Sequence, residues 1–238
     1  MKVEIWSDYQ CPFCYIGKRR FEEALKQFEN KDQVEVSFRS FELNPEAERD
    51  INMTQNEMLA KKYGMSQAQV EANSQNLTQQ AKELGLDYHL DKVVLTNSFD
   101  AHRLMHFAES KGKEKEMNER LFKAYFTEGK HIGDHATLAR LAEEVGLEKS
   151  ETESMLAGTA FTAEVRGNEQ EGSLLGITGV PFFVINRKYG ISGAQPTEAF
   201  LDTLKKVWAE ENPLTIVNDP ATGDACTDGS CNVKENRR

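Results

Sequence analysis

Apolar and polar positions change period along this chain, and the changes divide it. Lys2-Val3-Glu4-Ile5-Trp6 alternates toward apolar and β-branched residues, the pattern of a short strand. Phe21, Ala24, Leu25 and Phe28 then recur at helical spacing. From Gln33 to Leu43 the strand pattern returns through Val34, Val36 and Phe38, with a slip near Ser40 before Phe41 and Leu43. Asn44-Pro45 closes it, because the residue before a proline resists the helical region. Strand, helix, strand in this order implies parallel pairing through a right-handed crossover.

From about Thr54 to Leu175 the period is helical throughout, interrupted by Gly64, Gly85, Gly112, Gly129, Gly146, Gly158 and Gly176. A glycine just past a helix end takes up the left-handed cap readily. Ser66 and Gln69 have the spacing of a capping box for the segment ending near Leu84. Phe122, Tyr125 and Phe126 form one apolar stripe, and Leu138, Leu141, Ala142 and Val145 another; both are expected to be core. After Gly176 the pattern reverts. Val180-Pro181-Phe182-Phe183-Val184-Ile185 is a short apolar strand, Asn186–Gly190 a turn, and Ile191–Gly193 a return strand. A last helix opens at Pro196 or Thr197, carries Phe200, Leu201, Leu204, Val207 and Trp208, and stops at Pro213.

The order is therefore βαβ, a helical block, then ββα. The flanking parts lack enough core separately, but together they make a four-stranded sheet with helices on both faces. The expected organisation is a discontinuous α/β domain over 1–50 and 177–212, a helical insertion over 54–175, and a polar tail over 213–238. Closure entropy grows only logarithmically with loop length, so a long insertion is tolerated.

Composition narrows the partners. The chain has 238 residues, with 29 Lys+Arg against 39 Asp+Glu and a net charge of −10. An acidic surface argues against nucleic-acid binding, and no apolar run reaches the ~18 residues of a membrane span. Met1–Ile5 enters the first strand directly, leaving no room for a signal peptide, so a cytoplasmic location is expected. In that compartment cysteine pairs are more often catalytic or metal-binding than structural.

The chemistry is concentrated in Cys11-Pro12-Phe13-Cys14, which sits where the first strand gives way to a helix. There the unpaired amides and the positive dipole end of the first turn stabilise a thiolate at Cys11, with Cys14 one turn further in. The competing reading is half of a zinc site, which needs two further ligands. The other cysteines, Cys226 and Cys231, are distant and separated by four residues.

Several motifs together resemble the DsbA family. They are the CxxC after the first strand, Phe41-Glu-Leu-Asn-Pro45, Asn97-Ser-Phe-Asp-Ala-His102-Arg-Leu, and Gly179-Val180-Pro181-Phe182-Phe183-Val184. The resemblance covers roughly residues 2–210 and is closest to the cytosolic FrnE-like branch, itself similar to 2-hydroxychromene-2-carboxylate isomerases and kappa-class glutathione transferases. It implies a thioredoxin fold (βαβ…ββα) with a large all-helical insertion, and thiol–disulfide oxidoreductase activity, with disulfide isomerisation as a variant.

In the resemblance the Val180–Pro181 bond is cis and faces the CxxC, with Val180 offering its N–H and C=O to an extended substrate. Cys11 is the expected nucleophile, as the exposed sulfur, and Cys14 the resolving thiol. Pro12 suits the first helical position. Pro12, Phe13 and Val180 are the expected substrate contacts, and Pro181 completes the catalytic set. Phe13 offers the thiolate no polar hydrogen, where periplasmic DsbA has a histidine, so a less oxidising pair is expected. Members of the branch carry a second, wider cysteine pair in a C-terminal tail, and Cys226-Thr-Asp-Gly-Ser-Cys231 resembles it as an auxiliary redox pair. Its small loop gives only about 2 kcal/mol of entropic stabilisation.

No separate cofactor and no metal is expected, because the cysteines carry the electrons. Expected partners are protein or small-molecule disulfides and dithiols, with glutathione or a thioredoxin-like reductant as electron donor. Two alternatives remain: a glutathione-dependent isomerase or transferase, whose relatives use a serine where Cys11 stands, and a zinc-binding or chaperone-like module. Asp8 and Tyr9 are either rim or turn residues. His102 and His106, one turn apart, read as packing residues more readily than as ligands. Asn44 and Asn97 are expected near the pocket, and Arg39 with Lys18-Arg19-Arg20 as a solvated face.

Overall fold

A computed structural model describes residues 1–213 and the strand residues 226–227 and 230–231. Four strands form one mixed sheet in the order β2-β1-β3-β4: β1 (Lys2–Ser7), β2 (Glu35–Ser40), β3 (Phe182–Ile185) and β4 (Tyr189–Ser192). β1 and β2 are parallel, crossing over through helix α1 (Pro12–Gln27), and the other pairings are antiparallel. The register aligns Phe38, Ile5, Phe183 and Ile191 in one row across the sheet. That row and its neighbours face α1 and the last helix, α9 (Thr197–Glu211). Phe21, Phe183 and Phe200 meet there with ring centroids 4.6–5.9 Å apart. Each such ring contributes roughly 2–3 kcal/mol on burial.

The region between β2 and β3 is helical: α2 (Gln55–Tyr63), α3 (Gln67–Glu83), α4 (Phe99–Ser110), α5 (Glu114–Phe126), α6 (His135–Glu144), α7 (Lys149–Ala157) and α8 (Thr162–Leu174). Both expected aromatic and aliphatic stripes are core. Phe122 of α5 stacks on Tyr15 of α1 at 4.9 Å, so α1 is buried between the sheet and this helical region. On the far face of the sheet, Trp6 lies against α8 and donates to the Asn168 carbonyl at 2.8 Å. The Asn168 side chain accepts from the Ser40 N–H at 3.0 Å, tying α8 to β2 as well.

The capping box at Ser66 and Gln69 is present, and a second one at Thr54 and Glu57 starts α2. Three expectations change. β2 stops at Ser40 rather than continuing to Leu43, because the Leu43 N–H turns away to the Asp8 carboxylate at 2.7 Å. Gly158 does not take the left-handed cap of α7; its φ is −97°. The buried Arg103 guanidinium instead satisfies the open carbonyls, donating to Met155 and Gly158 at 2.7 Å and to Ala160 at 2.8 Å. The Lys18-Arg19-Arg20 cluster and Arg39 are not a free solvated face. Lys18 is only 5 % exposed. Lys18 and Arg19 both clasp Glu119 of α5, Arg20 donates to the Ala194 carbonyl, and Arg39 pairs with the buried Glu4.

Candidate active site

The turn from β1 into α1 is held by Asp8. Its carboxylate accepts from the Gln10 N–H at 3.1 Å and the Leu43 N–H at 2.7 Å, and its carbonyl accepts from the Cys11 N–H at 3.0 Å. The Gln10 side chain donates to the Thr96 carbonyl at 2.6 Å. The turn is thereby fixed both to the segment after β2 and to the chain ahead of α4. Asp8 and Tyr9 are buried and so belong to the turn and core rather than to a rim.

Cys11 is the N-cap of α1, with extended backbone, and Pro12 fills the first helical position. Pro12 has no N–H to leave unsatisfied, and the Cys14 N–H bonds the Cys11 carbonyl at 3.0 Å. The first turn holds no acidic residue, so nothing on the helix itself opposes negative charge at its start. Both cysteines are free thiols. The expectation of an openly exposed Cys11 is corrected: the residue is 5 % accessible, against 2 % for Cys14. Its remaining access opens into a cavity of about 1200 Å³, lined also by Pro12 and Phe13. Phe13 is 46 % exposed at the mouth. Burial pushes the Cys14 thiol well above its ordinary range, and the adjacent Cys11 sulfur adds to this.

Pro181 approaches from the sheet side. The Val180–Pro181 peptide is cis. The Cys11 thiol donates to the Val180 carbonyl at 3.5 Å, so Val180 and Cys11 are in direct contact. The Pro181 carbonyl accepts from the Gly193 N–H at 2.8 Å. Gly17 of α1 makes room for this loop: a Cβ there would stand 3.0 Å from Pro181 Cγ. From the helical region, the buried Tyr88 hydroxyl donates to the Pro12 carbonyl at 2.7 Å, bracing the first turn.

Sequence patterns did not point to Tyr88 or Gly17 as parts of this site. Gly17 carried the only available signal, as a glycine inside a helical stripe. Asn44 lines the cavity, whereas Asn97 turns its amide to Glu42 and Pro45. His106 lies between Ser40 and Glu109, both at 3.1 Å. His102 is buried, its Nε2 3.7 Å from Asp8 Oδ1. Among the described residues, no group of three or more His, Cys, Asp or Glu side chains stands together as metal ligands would. No described helix is long and apolar enough to cross a membrane. In the tail, Cys226 is paired across two short strands, β5 (Cys226–Thr227) and β6 (Ser230–Cys231), with Cys231. The side chains of this pair, and with them the auxiliary redox reading, lie outside the described residues, as does most of 213–238.

Comparison with known proteins bears on the family and the fold. The DSBA-like thioredoxin domain family matches residues 2–205. YwbO of Bacillus subtilis, an uncharacterized protein, is 34% identical over 200 residues, covering 83% of this chain and 92% of its own. A crystal structure from Streptomyces coelicolor, described as a probable DsbA oxidoreductase, superposes with a TM-score of 0.87 at 42% identity, over 98% of this chain and 99% of that one. The cytosolic disulfide reductase DsbM of Pseudomonas aeruginosa, solved with GSH, shares the fold at a TM-score of 0.62 and 17% identity, over 87% of this chain and 99% of its own.

Proposed function

The chain belongs to the family of DSBA-like thioredoxin domains, and from this we propose that it is a thiol–disulfide oxidoreductase working through Cys11 and Cys14. The single observation that carries the reading is the placement of Cys11: an N-cap sulfur at an acid-free helix start, in contact with Val180 and open to a cavity. Cys14 is held as a thiol by burial, which leaves Cys11 to attack first.

In the reducing direction, the Cys11 thiolate attacks one sulfur of a substrate disulfide. The substrate S–S bond breaks, a Cys11–substrate disulfide forms, and the first substrate sulfur leaves as a thiolate. Cys14 sulfur then attacks Cys11 sulfur, its proton passing to the departing second thiolate. Two electrons move from the cysteine pair to the substrate, and an external dithiol or glutathione restores the pair. The oxidising direction is the reverse of these steps. Pro12, Phe13 and Val180 border the incoming sulfur, and Pro181 closes the site opposite α1. The cytoplasm, where thiols are kept reduced, suits the reducing direction. Cys226 and Cys231 serve in this reading as an auxiliary pair that exchanges with Cys11 and Cys14.

An insulin-reduction assay tests it. Cys11→Ser is expected to abolish turnover, Cys14→Ser to accumulate mixed disulfides at Cys11, and Cys226→Ser/Cys231→Ser to lose part of the activity. Full activity in Cys11→Ser refutes the mechanism.

A further inference from the structure

The cavity beside Cys11 has a composition unlike the rest of the molecule. In a chain with 39 acidic residues, none of the side chains lining it is acidic. Its charges are two lysines, Lys61 and Lys62, near the end of α2, and neither makes an ion pair among the described residues. Phe13, Leu43, Met53 and Tyr63 line it too, and they are four of the six large apolar side chains exposed among the described residues. Apolar exposure is therefore gathered at one mouth, which marks a binding surface. α2 contributes no buried residue of its own, so it lies over the cavity without filling it. At about 1200 Å³ the space exceeds the roughly 300–1,000 Å³ usual for small-molecule sites. Asn44, Asn73 and Gln80 place amide donors and acceptors along the wall.

Resting on the reading of Cys11 as the exchanging thiol, we propose that this cavity binds an apolar peptide segment bearing an acidic side chain close to the exchanging cysteine of a protein substrate. Lys61 and Lys62 select that acid. The α2–α3 hairpin is then the specificity element, and the CxxC supplies chemistry indifferent to sequence.

The test uses reduced full-length protein and apolar octapeptides carrying one cysteine as its 2-thiopyridyl disulfide. The peptides differ at one position, Glu, Gln or Lys, and release of thiopyridone gives the second-order rate constant. Two exposed ion pairs together set an expected preference for Glu over Lys of about three- to tenfold at low salt. It should shrink at about 1 M salt, where the Debye length is about 3 Å. Lys61→Glu/Lys62→Glu should invert the order. Equal rates for the three peptides in the wild type overturn the proposal. So does a short acidic thiopyridyl disulfide, without apolar residues, that reacts as fast as the Glu peptide, since a small acidic molecule is then the better occupant. If uncharged 2,2′-dithiodipyridine reacts at Cys11 in those cases, the redox reading survives. If no disulfide reacts with Cys11, the redox reading falls and this proposal with it.

Discussion

Removing one carboxylate should loosen the helix that carries the cysteines, and in a pH-dependent way. Glu119 of α5 receives three groups from α1: the Tyr15 hydroxyl at 2.5 Å, Lys18 Nζ at 2.6 Å and an Arg19 nitrogen at 2.6 Å. Burial works against its charge, but Lys18, Tyr15 and Arg19 outweigh it and draw the carboxyl from 4.5 down to about 2. At ~1.4 kcal/mol per pH unit, a gap of that size sets a ceiling of roughly 3 kcal/mol. The side chain is 38 % exposed, and solvent screening reduces the figure to about 1–2 kcal/mol. Because the folded value lies below the unfolded one, the stabilisation is complete above pH ~4.5 and is lost as pH falls toward ~2, with about half gone by pH 3. Urea unfolding of wild type and Glu119→Gln at pH 7 and pH 3 checks this. The variant should be about 1–2 kcal/mol weaker at pH 7, with a clearly smaller difference at pH 3. A difference of the same size at both pH values refutes the reasoning, because the knot would then stabilise through packing rather than through ionisation.

Gly172→Ala should destabilise, although alanine favours helices by about 1 kcal/mol, because the new Cβ would lie 2.8 Å from the buried Trp6 Nε1. Overpacking of this kind costs about 1–3 kcal/mol, and a urea midpoint at or above that of wild type contradicts it. Gly17→Ala presses on Pro181 from 3.0 Å and should slow substrate reduction at Cys11 several-fold while moving the urea midpoint little. An unchanged rate constant would show that the Pro181 loop gives way without cost.

What the chain reveals by local pattern, it reveals well. The alternation of β1, the helix opened by Pro12, the stripe of Phe122, Tyr125 and Phe126 and the strand after Pro181 are each set by neighbours within about one or two turns or strand steps, and each is where the pattern places it; the return strand starts at Tyr189, two residues earlier than the pattern places it, because Tyr189 and Gly190 pair with Ile185 and Val184. The misses share one physical origin: the deciding partner lies far along the chain. Lys18 and Arg19 look solvated until Glu119, about a hundred positions later, is folded against them. Gly158 looks like a helix cap until Arg103 of α4 takes over its role. β2 looks longer than it is because the Leu43 N–H finds Asp8, in a turn from the other side of the CxxC. The cavity was illegible for a related reason. Its apolar residues, Met53, Met58 and Met65 among them, sit in a polar stretch whose helix buries nothing, so no periodic stripe announces them.

The same long-range contacts bear on why an insertion of this size sits beside the cysteine pair at all. In the proposed reading, the thioredoxin-like part supplies the helix start at Cys11 and the Pro181 loop, where the exchange between sulfurs takes place. They do not choose among disulfides, because a sulfur–sulfur bond presents little shape or charge to distinguish one substrate from another. Discrimination has to come from groups around the sulfur. The helical region meets both needs through one set of contacts. Tyr88 and Thr96 brace the first turn and the preceding Gln10, fixing where Cys11 points, while α2 and α3 wall a cavity that begins at the same cysteine. On the proposed role of the α2–α3 hairpin, changes in it would alter which substrate is bound without disturbing the hydrogen bonds that hold Cys11, since none of the bonds to Asp8, Pro12 or Val180 comes from that hairpin.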